Sequence, residues 1–154
     1  PCGDFNWMRY VNMDSINKYY GIDIVEEIII KNEKRYGNTI KEFKCLDIIN
    51  EKLPEGDLML CRDSLVHLNY LDALKTIENI KNSGIKYLLI TTFTDRNRNN
   101  DLGVNEVWRP LNMQIAPFNF PPPVRIINEK CTEDGNNYKD KSLALYRLDD
   151  LRQA

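Results

Sequence analysis

One glycine and one acid pose the first chemical question. Gly3 sits in an opening turn of small and polar residues, Pro1-Cys2-Gly3-Asp4-Phe5-Asn6-Trp7-Met8. Asp23 lies 20 residues later within Tyr20-Gly21-Ile22-Asp23-Ile24. In a strand–turn–helix–strand unit this spacing sets a carboxylate at a strand tip facing the turn, where it accepts hydrogen bonds from the two hydroxyls of an adenosine ribose. The turn also selects among nucleotides. Dinucleotide binding wants three glycines in G-x-G-x-x-G so that the backbone can approach a pyrophosphate. Here Phe5 and Met8 stand in the other two places and Asp4 adds negative charge. A phosphate is repelled by such a turn, whereas a ligand joining adenosine to a cationic amino-acid tail is not. S-adenosylmethionine, with its amino group and sulfonium, has that chemistry.

Positioning these residues requires a sheet, and the hydropathy pattern supplies one. Residues 18–24 read as a strand. Residues 25–36 read as a helix with Glu26 and Glu27 in its first turn and Lys34 and Arg35 in its last, complementing the helix dipole, and Gly37 stops it. A short helix is expected over Phe5 to Asn12, where Phe5, Met8 and Val11 fall at helical spacing. Residues 39–46 alternate as a strand leading to Asp47, and 57–61 form a short apolar strand expected to be buried on both faces. Residues 70–82 read as a helix with its apolar face on Leu71, Leu74, Ile77 and Ile80, followed by an apolar strand over 87–92. The stretch from Thr94 to Val107 is polar and reads as a mobile loop or lid. Pro121-Pro122-Pro123 forces an extended passage, and 124–128 with 143–148 read as a closing antiparallel pair.

This order predicts an α/β, doubly wound, Rossmann-like sheet, mostly parallel with a final antiparallel strand pair. It is expected as a single domain over residues 1–154. The turn at Gly3 should follow a central strand, so the sheet is expected to be completed by a strand upstream of Pro1. Ligands in such sheets lie beyond the carboxyl ends of the strands. Here those tips are residues 1–5, Asp23-Ile24, Asp47-Ile48, 61–64 and 92–94, and four of them hold an acid, Asp4, Asp23, Asp47 and Asp63.

Composition narrows the field. A formal net charge of −2 gives no basic surplus for general nucleic-acid or membrane-surface binding. The 4 cysteines form no C-x-x-C pair and a single histidine accompanies them, so no zinc site is expected, and scattered thiols suit a reducing cytoplasm. No segment approaches the length of a membrane span.

Four blocks then stand in order: P-C-G-D-F-N-W at 1–7, G-x-D-I-V at 21–25, C-R-D-x-L-V-H-L at 61–68 and P-x-N-F-P-P-P at 117–123. With them the chain resembles a class I S-adenosylmethionine-dependent methyltransferase, and within that class a bacterial group carrying these motifs. The resemblance spans essentially the whole chain. It implies that Cys2, Gly3 and Asp4 contact the methionine part of the cofactor, that Asp23 holds the ribose with Ile24 against the adenine, and that Asp47 accepts the adenine amine with Ile48 on the ring. It further implies that Cys61 and Arg62 offer backbone beside the sulfonium. The family's turn usually has a glycine where Phe5 stands.

Methyl transfer from a sulfonium is an in-line displacement on an activated donor, so alignment and exclusion of water supply most of the effect. A hydroxyl acceptor gains from a general base, and Asp63 and His67, four apart on one helical face, are the candidates. Arg62, Arg109 and Arg125 suit an anionic acceptor, and Trp108, Phe118, Asn119 and Phe120 suit its walls. Bland alternatives stand beside these roles: His67 as a structural hydrogen-bonder, Asp63 as a helix cap, the aromatics as core and NFPPP as a rigid connector. The expected reaction is cytoplasmic methylation of a small polar acceptor, an oxygen of a sugar or of a polysaccharide or capsule precursor, with a phosphoramidate-type acceptor also suited to the arginines. The rival readings are a non-catalytic S-adenosylmethionine-binding partner subunit and a nicotinamide-dependent oxidoreductase.

Overall fold

In a computed structural model that describes residues 1–153, the chain divides into two compact units, Pro1–Glu51 and a second beginning at Lys52. The first unit is a strand–helix–strand. Strand β1 (Tyr19–Asp23) and strand β2 (Lys41–Cys45) pair in parallel, with Gly21 opposite Phe43 and Asp23 opposite Cys45, and helix α1 (Glu26–Tyr36) joins them. Gly21 is dictated by Phe43, whose ring carbon lies 2.4 Å from where a Cβ would project. Ile29 of α1, Phe43 of β2 and Phe5 form the core of this unit.

Phe5 departs from the helix expected over residues 5–12. Its φ is 59° and its side chain is 1% exposed, packed against Tyr19, Tyr36 and Phe43 at centroid separations of 5.5, 5.0 and 5.2 Å. A left-handed residue cannot continue a right-handed helix, so only a single 3-10 turn, Met8–Tyr10, follows.

The second unit carries a four-stranded sheet in the order β3-β4-β6-β5: β3 (Leu58–Cys61), β4 (Tyr87–Phe93), β5 (Arg125–Asn128) and β6 (Lys141–Arg147). β3 and β4 are parallel, while β6 runs antiparallel to both β4 and β5. The expected antiparallel closing pair is present, but β6 inserts between β4 and β5. The sheet is therefore mixed, where a mostly parallel one was expected. β3 forms an edge of its sheet, and Leu58 is 56% exposed, so the expectation of burial on both faces fails for that strand.

Helix α2 (Tyr70–Lys81) opens on Asn69, whose side chain accepts from the Asp72 amide. Its buried face is Ala73, Thr76, Ile77 and Ile80, while Leu71 and Leu74 are exposed. Steps of three residues drift around the helix. At 3.6 residues per turn, positions 71 and 80 point about 180° apart. The i, i+3, i+4, i+7 set from Ala73 stays on one side.

The first part of the 94–107 loop is fastened, against the expectation of a mobile lid. Arg96 pairs with the buried Asp140 at 3.1 Å, and buried Asn99 bonds Asn112 O at 2.8 Å and Ala116 O at 2.9 Å. No helix among the described residues is long and apolar enough to cross a membrane.

Candidate functional site

In the first unit the sequence pair Gly3 and Asp23 meets. The Gly3 amide donates to Asp23 Oδ2 at 3.0 Å, and the Val25 amide donates to Oδ1 at 3.1 Å. Cys2 continues the β1 tip through its amide bond to Ile22 O at 2.6 Å. Gly3 has φ +55°, and nothing stands within 4 Å of where its Cβ would be, so the conformation favours glycine and the space above the turn is open. The residue that fixes it is Asn32, 3% exposed on α1, whose Nδ2 donates to Gly3 O at 2.7 Å and reaches Cys2 Sγ at 3.8 Å. Sequence reading missed Asn32. A polar residue on the buried face of an amphipathic helix was the available signal, because such groups persist only when satisfied.

Burial, with the charge of Asp23 behind it, pushes the Cys2 thiol up to about 11. Asp4 is exposed and caps its own turn, accepting from the Asn6 amide at 3.0 Å. At the strand tips, Ile24 is 66% exposed and Ile48 is half-buried. Asp47 accepts from the Asn50 side chain at 2.7 Å and from the Ile49 amide at 2.8 Å, and these bonds hold its carboxyl below the usual range.

In the second unit a cavity of about 330 Å³ is lined by Arg62, Asp63, His67, Phe93, Trp108, Glu133, Tyr138 and Lys141. Its polar wall is a charge network. Lys141 Nζ lies 2.7 Å from Asp63 Oδ2, Arg62 Nη1 is 3.3 Å from that same oxygen, and Arg62 Nε donates to Glu129 Oε1 at 2.6 Å. Asp63 Oδ1 is shielded from solvent and has no hydrogen-bond partner. The Asp63 backbone, at φ 51°, is held by its amide bond to Thr91 Oγ1 at 2.9 Å. The apolar wall is a trio of rings, with Trp108 edge-on to Tyr138 at 5.0 Å and to Phe93 at 5.8 Å.

Asp63 and His67 therefore do share a cavity, though not by the route expected. Asp63 is left-handed and precedes the 3-10 turn Leu65–His67, so the two are not on one helical face. Ser64, not Asp63, occupies the cap position, and no side-chain cap bond forms there. His67 Nδ1 lies 2.7 Å from Val107 O.

The other expected residues scatter. Cys61 is fully buried at the end of β3, and burial pushes its thiol up. Arg109 is 6% exposed and donates to Leu65 O and Asn100 O, away from the cavity lining. Phe118 is core, edge-on to Tyr70 at 6.0 Å, and Phe120 packs on Tyr146 at 5.1 Å. Asn119 is exposed at φ 50°, and Arg125 is exposed on β5. Lys141, Glu129, Glu133 and Tyr138 were not anticipated. A lysine opening the apolar run Ser142-Leu143-Ala144-Leu145 was the visible signal, since a cation on a buried strand demands an anionic partner.

No protein-family model and no curated protein matches the chain. Solved structures do. An S-adenosylmethionine-dependent methyltransferase from Clostridium acetobutylicum superposes with a TM-score of 0.63 at 13% identity, over 95% of this chain and 80% of that one. The chain shares the fold of that structure. The N-methyltransferase NodS from Bradyrhizobium japonicum, in complex with S-adenosyl-l-homocysteine, gives 0.56 at 16% identity over 84% of this chain and 66% of that one. The cyclase SpnF gives 0.54 at 17% identity over 73% of this chain, which spans only 45% of SpnF.

Proposed function

We propose that this chain is an S-adenosylmethionine-dependent methyltransferase acting on a small polar acceptor. The observation that carries the reading is the Gly3 turn: a left-handed glycine, open above, with its amide on a buried carboxylate at the tip of β1. That arrangement stands on a fold shared with structures named as methyltransferases, one of them in complex with S-adenosyl-l-homocysteine.

A carboxylate offers about four lone-pair positions. Asp23 spends two on amides, leaving capacity for a ribose diol. In this reading Cys2, Gly3 and Asp4 face the methionine end, Ile24 and Ile48 offer apolar surface to the adenine, and Asp47 accepts from its amine. The cofactor supplies an electrophilic methyl group on a sulfonium. What remains for the protein is to orient the acceptor, exclude water and take a proton.

The cavity beside His67 suits the acceptor. His67 is the proton acceptor, because Asp63 has one oxygen paired to Lys141 and Arg62 and the other shielded. Asp63 and Lys141 then fix local charge and take no proton. Alternating cations and anions on the lining match a hydroxylated molecule better than a strongly charged one, so we place the acceptor atom as oxygen of a sugar or glycan precursor. SpnF shows by its name that this fold also serves as a cyclase, so cofactor binding and methyl transfer need separate tests. Isothermal titration with S-adenosylhomocysteine, with NAD as control, is the first. Micromolar binding of the former alone is expected, and its absence would defeat the proposal.

A further inference from the structure

Three hydrogen bonds fasten the segment 107–109 to the turn that carries His67. The Arg109 amide donates to Val66 O at 3.0 Å, Arg109 Nη1 donates to Leu65 O at 2.7 Å, and His67 Nδ1 lies 2.7 Å from Val107 O. A carbonyl oxygen offers lone pairs only, so this last bond requires the hydrogen on Nδ1. In a neutral imidazole Nε2 is then the acceptor.

Arg109 also donates from Nε to Asn100 O at 3.3 Å and stands 5.6 Å over the Tyr70 ring. Its nearest acid, Asp101, forms only a long ion pair at 3.9 Å from Nη2, and Nη2 has no hydrogen-bond partner. Burying a guanidinium without a close counter-ion is costly, and an apolar side chain would fill the volume without that cost. What an apolar chain cannot do is hold carbonyls of two separate segments, Leu65 and Asn100, in one fixed fork. That fork sets where Val107 O stands relative to the imidazole.

We infer that Arg109 is a positioning residue: by clamping 107–109 to Leu65–His67 it holds His67 in the Nδ1–H tautomer and leaves Nε2 as the proton acceptor. Its significance for catalysis rests on the methyltransferase reading, but the tautomer itself does not. The clamp also fixes Trp108, the ring between its two anchor points and a wall of the same cavity.

His67 is the single histidine of the chain, so two-bond proton–nitrogen spectra of the ¹⁵N-labelled protein, recorded where the ring is neutral, report its tautomer without assignment. The wild type is expected to show predominantly Nδ1–H, opposite to the preference of free histidine. Arg109→Met should shift the ratio toward Nε2–H by at least threefold, with Arg109→Lys, which retains fewer donors, in between. A wild type dominated by Nε2–H overturns the inference whether or not any variant folds. An unchanged ratio in folded Arg109→Met, or in Arg109→Lys should the methionine variant not fold, also overturns it. Titrating the same wild-type sample with S-adenosylhomocysteine separates the two ideas, since lost binding with an intact Nδ1–H tautomer defeats only the methyltransferase reading.

Discussion

The amide of Gly3 donates to Asp23 Oδ2 across 3.0 Å, joining two residues separated by 20 positions in sequence. The bond gives Asp23 a structural role beside the ribose contact proposed for it. Asp23→Asn keeps the shape but removes the charge and one acceptor, so one of the two amides, Gly3 or Val25, loses its partner. Hydrogen bonds to a charged group contribute about 1.5–3 kcal/mol, and a loss of about 1–3 kcal/mol is expected in urea unfolding. Affinity for S-adenosylhomocysteine should fall by at least about tenfold, roughly 1.4 kcal/mol. Unchanged affinity with reduced stability would assign Asp23 to the turn alone.

Phe5 carries a separate prediction. At φ 59° and 1% exposure it combines a strained backbone with a packed ring. Phe5→Ala should cost about 3–5 kcal/mol through the cavity left among Tyr19, Tyr36 and Phe43. Phe5→Gly removes more atoms but relieves the left-handed backbone, which costs an L-residue about 1–2 kcal/mol. The glycine variant should therefore be no less stable than the alanine variant by chemical denaturation. A glycine variant clearly below alanine would show that the φ of Phe5 is not strained.

Sequence pattern recovered elements whose information is local. β1, α1 and β4 follow from apolar runs and charge placement, and the Gly3–Asp23 pair follows from a fixed spacing within one strand–turn–helix unit. Pairings set by long-range topology were not legible. Lys141 reaches Asp63 from 78 residues away and Glu129 reaches Arg62 from 67, and nothing local couples them. Backbone sign was equally hidden. Asp63 at φ 51° looks in sequence like the start of a helical segment, and this placed it on a face with His67 that does not exist. Arg109 read as one of three candidate holders of an anionic acceptor, and its burial was not visible because sequence carries no record of which guanidinium is buried.

Cys2 predicts an alkaline signature. Its thiol rises from an ordinary 9.0 to about 11 in the fold, through burial first and the Asp23 charge second. Between those values the folded chain keeps a proton that the unfolded chain has released. Its contribution to stability is full below pH 9 and is lost as pH climbs toward 11. Tyr19, Tyr146 and Cys61, also pushed up by burial, add to the same alkaline loss, so the comparison must be with Cys2→Ala. Melting temperature should fall more steeply between pH 9 and 11 in the wild type than in that variant. Parallel curves would show that the Cys2 thiol is not shielded.

Lys141 and Asp63 test whether the cavity wall is an electrostatic unit. Side-chain exposures of 11% and 28% make the pair partly buried, so removing one partner should cost less than the about 3–5 kcal/mol of a fully buried pair. Lys141→Met removes the closer of the two cations on Asp63 and leaves both Asp63 and Glu129 with Arg62 alone, for an expected loss of about 2–3 kcal/mol. Asp63→Asn is milder, since asparagine tolerates the left-handed backbone that Asp63 adopts at φ 51°. A double-mutant cycle should return a coupling of about 1–2 kcal/mol, above the range for independent sites. Turnover separates the roles further. With His67 as the proton acceptor, Asp63→Asn should retain activity within about tenfold, while His67→Gln should lose roughly 10²–10⁴-fold. The reverse ranking would return the base to Asp63.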